Sequence, residues 1–244
     1  MKQVLLEIAD NKRIAPSVFK CTLAGDVSGI TAPGQFINLK IDGCYLRRPI
    51  SVFDKTEESV SIIYKTIGRG TEILSLMQAG DGVDVLTGLG NGYDISLSGD
   101  RPLLIGGGVG IPPLYYLAVK LIEKGVKPVA ILGFNKKSEV FCEDDFKAAG
   151  CDVFVTTVDG SYGIEGFVTD AFPVEYSFFY TCGPEPMLKA VYSKTVTSGQ
   201  FSFEERMGCG FGACMGCSCK TITGYKRICK DGPVLRKEEI LWAD

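Results

Sequence analysis

Sulfur near the end of the chain constrains its fold more than any other feature. Cys209, Cys214 and Cys217 are spaced C-x4-C-x2-C, and Cys229 follows twelve positions after Cys217. That is the plant-type spacing for a [2Fe–2S] cluster. Two irons bridged by two sulfides take four thiolates, two per iron. A tight loop can supply three, and the fourth must arrive from elsewhere. The intervening residues include Gly210, Gly212, Ala213 and Gly216, small enough for backbone N–H groups to approach the sulfurs. Structural zinc is the competing reading, and a thiol or disulfide role a third. Zinc favours paired C-x2-C units or Cys/His mixtures, whereas this chain has one C-x2-C and no histidine. The lack of histidine also excludes a Rieske centre. Cys219 competes with Cys229 for the fourth position. It lies only two residues from Cys217, so both reaching one cluster would strain the segment. Cys229 precedes KDGP, a turn signal that presents a side chain, and is the expected ligand.

Half of the ten cysteines lie in the last 36 residues, which marks a boundary near residue 200. A chain of 244 residues, 45% hydrophobic and 23% charged, has the prior of two domains, or one plus an appendage. Its net charge of −3 gives no sign of a nucleic-acid partner. The opening MKQVLLEIADNKRIA interrupts its apolar run with Glu7 and Asp10, unlike a signal peptide or anchor. Pro102–Val119 is uncharged over 18 residues, but its glycines and prolines exclude one continuous spanning helix. A cytoplasmic protein with no membrane contact is expected. Thiols stay reduced in that compartment, which favours metal or redox roles over disulfides.

Residues 1–99 read as short strands separated by Gly, Pro and Asp turns, among them VFKCTLAG, GQFINLKI, RRPISVFD and SVSIIYKTI. That pattern predicts an antiparallel barrel or sandwich, interrupted by one helix-like stretch, TEILSLMQAGD. From residue 100 strands alternate with helices: RPLLIGGG, PPLYYLAVKLIEKG, PVAILGF, DDFKAAG, DVFVTTV, FFYTCG and PEPMLKAVYSKTV. Alternation of this kind predicts a parallel α/β sheet. The expected division is therefore 1–99, 100–200 and 201–244.

LLIGGGVGIPP follows a strand and opens a helix, so its backbone N–H groups can hold a pyrophosphate at the helix N-terminus. It lacks the strict G-x-G-x-x-G fingerprint, and Asn135 and Lys136, not an acid, follow the second strand. YTCGPEPM places Cys182 and Gly183 at another strand-to-helix junction on the same sheet edge.

The order barrel, RRPIS, GRGT, GGGVGIPP, CGPEPM and cysteine cluster resembles the ferredoxin–NADP reductase superfamily over essentially the whole chain. Within it, the CGFGAC-x2-C…CKDGPV ending is most similar to the family of electron transfer subunits of NAD-dependent dihydroorotate dehydrogenases. The resemblance implies an FAD-binding barrel (1–99), an NAD-binding α/β domain (100–200) and a small [2Fe–2S] domain (201–244). It implies FAD held by Arg48, Pro49, Ile50 and Ser51, with Arg48 on the pyrophosphate, as bidentate guanidinium chemistry suits. Most of the superfamily carries an aromatic where Ile50 stands. Lys65, Thr66 and Ile67 would run along the flavin, and Gly70 and Thr71 would present N–H groups beneath its pyrophosphate. Gly107, Gly108, Gly110, Ile111, Cys182, Gly183 and Pro184 would form the NAD site, with Cys182 facing the nicotinamide. No catalytic acid or base is expected. Electrons would pass between NAD and the FMN of a separate catalytic subunit, in a heterotetramer serving pyrimidine biosynthesis. The alternative is an electron-input subunit of a hydrogenase or of an electron-bifurcating ferredoxin reductase; a zinc-stabilised adaptor belongs to a different class. Lys136 and Lys137 leave the choice between NADH and NADPH open, and the resemblance favours NADH.

Overall fold

The computed structural model describes residues 1–173 and 175–242. Six strands come first: β1 (Lys2–Ala15), β2 (Val18–Ala24), β3 (Phe36–Leu39), β4 (Arg48–Lys55), β5 (Ser59–Lys65) and β6 (Gly82–Leu89). They close into an antiparallel barrel in the order β1-β2-β5-β4-β3-β6, with β1 pairing to β6. Closure removes every exposed strand edge. Alternation along the strands turns Leu6, Ile8, Leu23, Ile37, Leu39, Ile62 and Val85 into a buried interior. The helix α1 (Arg69–Leu76) bridges β5 and β6 and buries Leu74.

The second unit carries β7 (Leu103–Gly107), α2 (Pro112–Glu123), β8 (Val129–Phe134), α3 (Glu143–Ala149), β9 (Asp152–Thr157), the two-residue β10 (Ile164–Glu165), β11 (Phe179–Cys182), α4 (Glu185–Lys194) and β12 (Gly199–Ser202). Pro112 and Pro113 sit in the first turn of α2, where a missing N–H costs nothing. Phe53 of β4 stacks on Tyr115 of α2, ring centres 4.4 Å apart, so the barrel's outer wall and the sheet's covering helix share one core.

After β12 come the hairpin β13 (Ser218–Thr221) and β14 (Gly224–Arg227), the single turn α5 (Ile228–Asp231) and β15 (Val234–Arg236). The sheet order is β10-β9-β8-β7-β11-β12-β15. All its pairs are parallel except the last: β15 returns antiparallel to β12, matching Phe201 with Leu235. The position 200/201 thus falls inside β12, and the segment that carries the cysteines ends by completing the nucleotide-type sheet. Asn91, just past the barrel, donates to the Val234 carbonyl (2.7 Å) and accepts the Val234 N–H (3.1 Å), tying the barrel segment to the C-terminal one. No helix among the described residues is long and apolar enough to cross a membrane.

Candidate functional site

The strand order reverses at β7. From β7 the chain moves to β8 and β9 on one side, then crosses back to place β11 on the other. Ligands of open α/β sheets bind outside the carboxyl ends of the strands at such a point. Both sequence-derived glycine turns lie there. A Cβ on Gly110 would come within 2.4 Å of the Cys182 carbonyl oxygen, and one on Gly107 within 2.6 Å of the Met187 sulfur. Glycine is what lets the two turns approach. Ile111 is fully buried under the first turn and anchors it. Burial pushes the Cys182 thiol up to about 12, against a bond with Ser202 that lowers it, so the thiol stays neutral.

A cleft of about 810 Å³ opens at this edge, within the range of cofactor sites. Gly107, Gly108, Gly110, Cys182, Gly183 and Pro184 form one wall. Pro49, Ile50, Ser51, Lys65, Ile67 and Thr71, from β4, the end of β5 and the start of α1, form the barrel wall. Arg48, Thr66 and Gly70 stand behind it. Thr66 N–H donates to the Ser17 carbonyl (2.8 Å) and turns the chain out of β5. Thr71 Oγ1 accepts the Ile67 N–H (3.1 Å) and donates to the Gly68 carbonyl (3.0 Å), shaping the entry to α1. The Arg48 guanidinium lies directly on Gly70: a Cβ there would meet its Nε at 2.2 Å. A guanidinium and a helix N-terminus that share one spot suit a pyrophosphate.

The thiols fall into two pairs. Cys209 Sγ accepts the Ala213 N–H at 3.2 Å. Burial raises this thiol, but the N–H groups of Phe211, Cys214 and Ala213, with the Cys214 thiol, prevail and bring it down to about 6. Cys217 Sγ accepts the Cys229 N–H at 3.4 Å. Burial first, then the bond and charge of Cys217, push Cys229 up to about 12. Two thiol pairs with amides aimed at sulfur suit a two-iron rhomb, which takes its ligands two per iron. Cys219 turns elsewhere: its Sγ approaches the Lys220 carbonyl (3.7 Å), and it lines a recess shared with Glu204, Glu205 and Trp242.

Cys217 and Cys229 are buried against Phe36, Leu86, Leu89 and Leu235, whereas Cys214 is exposed beside Phe211 and Met215. The thiol loop thus has a protein side and a solvent side. Asn38 of β3 secures the protein side: its Nδ2 donates to the Cys209 carbonyl (3.3 Å), and its register partner is Pro49 of the cleft wall. Asn38 Oδ1 is buried with no hydrogen-bond partner among the described residues.

Several cleft residues escape sequence reasoning. Phe36, Phe203, Met207 and Pro233 line it where the thiol-bearing segment meets the barrel, and Glu139 and Phe167 line it beyond β8 and β10. Pro233 belongs to the KDGP turn, which by itself does not point to the cleft; the others sit in no spacing pattern, and tertiary folding assembles them.

A family profile described as the iron–sulfur cluster binding domain of dihydroorotate dehydrogenase B matches residues 204–241. Two proteins named dihydroorotate dehydrogenase B (NAD(+)), electron transfer subunit, are each 43% identical to this chain. The one from Bacillus pumilus aligns over 98% of both chains, and that from Fusobacterium nucleatum over 96% of both. Among solved structures, an NADH-dependent reduced ferredoxin–NADP oxidoreductase studied for flavin-based electron bifurcation superposes with a TM-score of 0.88 at 33% identity, covering 98% of this chain and 90% of that one. Phthalate dioxygenase reductase shares the fold at 20% identity and a TM-score of 0.64, over 79% of this chain and 64% of its own.

Proposed function

The chain belongs to the family of dihydroorotate dehydrogenase B electron transfer subunits, and on that premise we propose that it carries electrons between NAD(H) and the FMN of a separate catalytic subunit. FAD and a [2Fe–2S] cluster, when bound, supply the exchange between two-electron hydride chemistry and one-electron transfer. The protein's residues hold, orient and shield these groups.

Arg48 and the Gly70–Thr71 helix start take the FAD pyrophosphate, while Pro49, Ile50 and Ser51, with Lys65, Thr66 and Ile67 along the neighbouring strand, frame the flavin. Gly107, Gly108, Gly110 and Ile111 hold the NAD pyrophosphate, and Cys182, Gly183 and Pro184 border the nicotinamide. Cys182 is a neutral thiol and presents no nucleophile to the ring. Cys209, Cys214, Cys217 and Cys229 ligate the cluster. The working division is 1–99 for flavin, 100–200 for NAD and 201–244 for the cluster, the last completed by a strand that it lends to the NAD sheet. Dihydroorotate oxidation belongs to the partner, docked over the exposed Cys214 side in a cytoplasmic heterotetramer.

The observation that carries this reading is that one cleft is walled by the barrel, the switch-point turns and the thiol-bearing segment together. The test is the visible spectrum of anaerobically purified protein. Flavin bands and a red shoulder should bleach on addition of NADH; colourless protein holding zinc would refute the proposal. A second reading is favoured by the superposition on the ferredoxin–NADP oxidoreductase: an input subunit of a bifurcating complex. Co-purification decides between them, since an FMN-bearing partner supports the first and a partner rich in iron–sulfur motifs the second.

A further inference from the structure

β3 turns two side chains away from the barrel interior and toward the thiol segment. Ile37 and Leu39 belong to the barrel core. Phe36 shares a buried cluster with Cys217 and Cys229 and also lines the cleft. Asn38, the next residue on that outer face, is only 1% exposed. Its Nδ2 donates to the Cys209 carbonyl (3.3 Å), and its Oδ1 meets no donor among the described residues. A buried acceptor left open is costly, and an apolar side chain at this position would avoid the cost. What accounts for an amide here is the bond from its Nδ2. The strand beneath is firm: Arg47 donates to the Asn38 main-chain carbonyl (3.3 Å) and to the Asp84 carboxylate (2.8 Å).

The bond to Cys209 fixes a peptide plane. In a trans peptide, such as this one, the carbonyl and the following N–H point in opposite directions. With the Cys209 carbonyl held against β3, the Gly210 N–H is turned away from β3 and into the loop that carries the thiols. Gly210 is buried, and its N–H has no partner among the described residues. The N–H groups of Phe211, Ala213 and Cys214 are already turned to the Cys209 sulfur. A buried N–H without an acceptor is rare, and sulfur is the acceptor that this loop offers.

We propose that Asn38 is a positioning residue for the cluster: by holding the Cys209 carbonyl it keeps the Gly210 N–H available as a donor to cluster sulfur, and so raises the cluster's reduction potential. The inference rests on the four thiols holding a [2Fe–2S] cluster. Hydrogen bonds to the sulfurs favour the reduced form, which carries more negative charge. A barrel residue 171 positions before Cys209 thereby tunes the carrier beside the cleft.

The test is a redox titration of the holoprotein, with the cluster followed by EPR and the flavin by absorbance. Asn38→Leu removes the donor at similar size, and Asn38→Val, shorter and suited to a strand, is its companion. We expect the cluster's reduction equilibrium to fall about ten-fold in both, a downward shift of about 59 mV for one electron, with the flavin potential unchanged. The ENDOR difference between light and heavy water should lose one exchangeable proton coupling to the reduced cluster. Asn38→His, which can donate through Nδ1, should restore the wild-type potential. A potential unmoved in the iron-replete apolar variants, or lowered equally in Asn38→His, overturns the proposal. Loss of the cluster from both apolar variants overturns it too, because the bond is then a structural tie alone. If wild-type holoprotein carries no cluster, the reading of the thiols itself fails and takes the proposal with it.

Discussion

Gly210 shows how closely the thiol loop is drawn onto the barrel. Its φ is +80°, and an added Cβ would lie 2.3 Å from Asn38 Nδ2. Gly80 also has a positive φ (+95°) but nothing within 4 Å. Gly80→Ala should therefore cost only backbone strain, about 1 kcal/mol. Gly210→Ala should add the clash and break the bond from Asn38 to the Cys209 carbonyl, for about 2–4 kcal/mol in all. Urea titration measures both, and a lower iron-to-protein ratio in the Gly210 variant alone would place the damage at the loop. A sharper pair concerns the ligands. Cys229 is buried with Cys217, whereas Cys219 lines a separate recess. Cys229→Ser should lose most bound iron and Cys219→Ser should keep it. The reverse result would move the fourth ligand to Cys219.

The element with most leverage is β15, only three residues long. Its Leu235 is buried against Cys217, Cys229 and the barrel residues Phe36, Leu86 and Leu89, while its backbone pairs with β12. Leu235→Ala should destabilise the protein by about 2–5 kcal/mol, the usual cost of a cavity. Iron loss should accompany the lower melting temperature, because the cavity opens beneath the thiols. The strand also shows where sequence reading stops. The barrel strands, the alternating strands and helices and the C-x4-C-x2-C loop all have local signatures: period-two burial, prolines and glycines at helix ends, fixed thiol spacing. VLR after KDGP has none, because three residues carry no period, and pairing with β12 is a non-local event. The same holds for the site. Arg48, Gly70, Gly107 and Gly110 stand in short motifs whose chemistry is visible in the chain. Phe203, Met207, Glu139 and Phe167 reach the cleft only because β12, β8 and β10 end where they do.

At the scale of the molecule, the cleft and the thiol loop are neighbours with separate foundations. The cleft walls rest on the closed barrel, which has its own interior, and on the switch-point turns, which share a second core with the barrel's outer wall. The thiol loop rests on a smaller cluster, joined to the barrel through Phe36, Leu86, Leu89 and Asn38. Losing iron should thus spare the cleft more than the loop. In Cys229→Ser holoflavoprotein, NADH should still bleach the flavin and reduce ferricyanide within about three-fold of the wild-type rate, a change of roughly 0.7 kcal/mol in barrier. Mixed with the FMN-bearing catalytic subunit, the same variant should fail to pass electrons from dihydroorotate to NAD+, since in the docking proposed above electrons enter at the Cys214 side and reach the cleft through the thiol segment. Retention of that coupled reaction without iron would show that electrons enter by another face. Loss of both reactions would show that the two foundations are one, with the cleft depending on the loop for its shape.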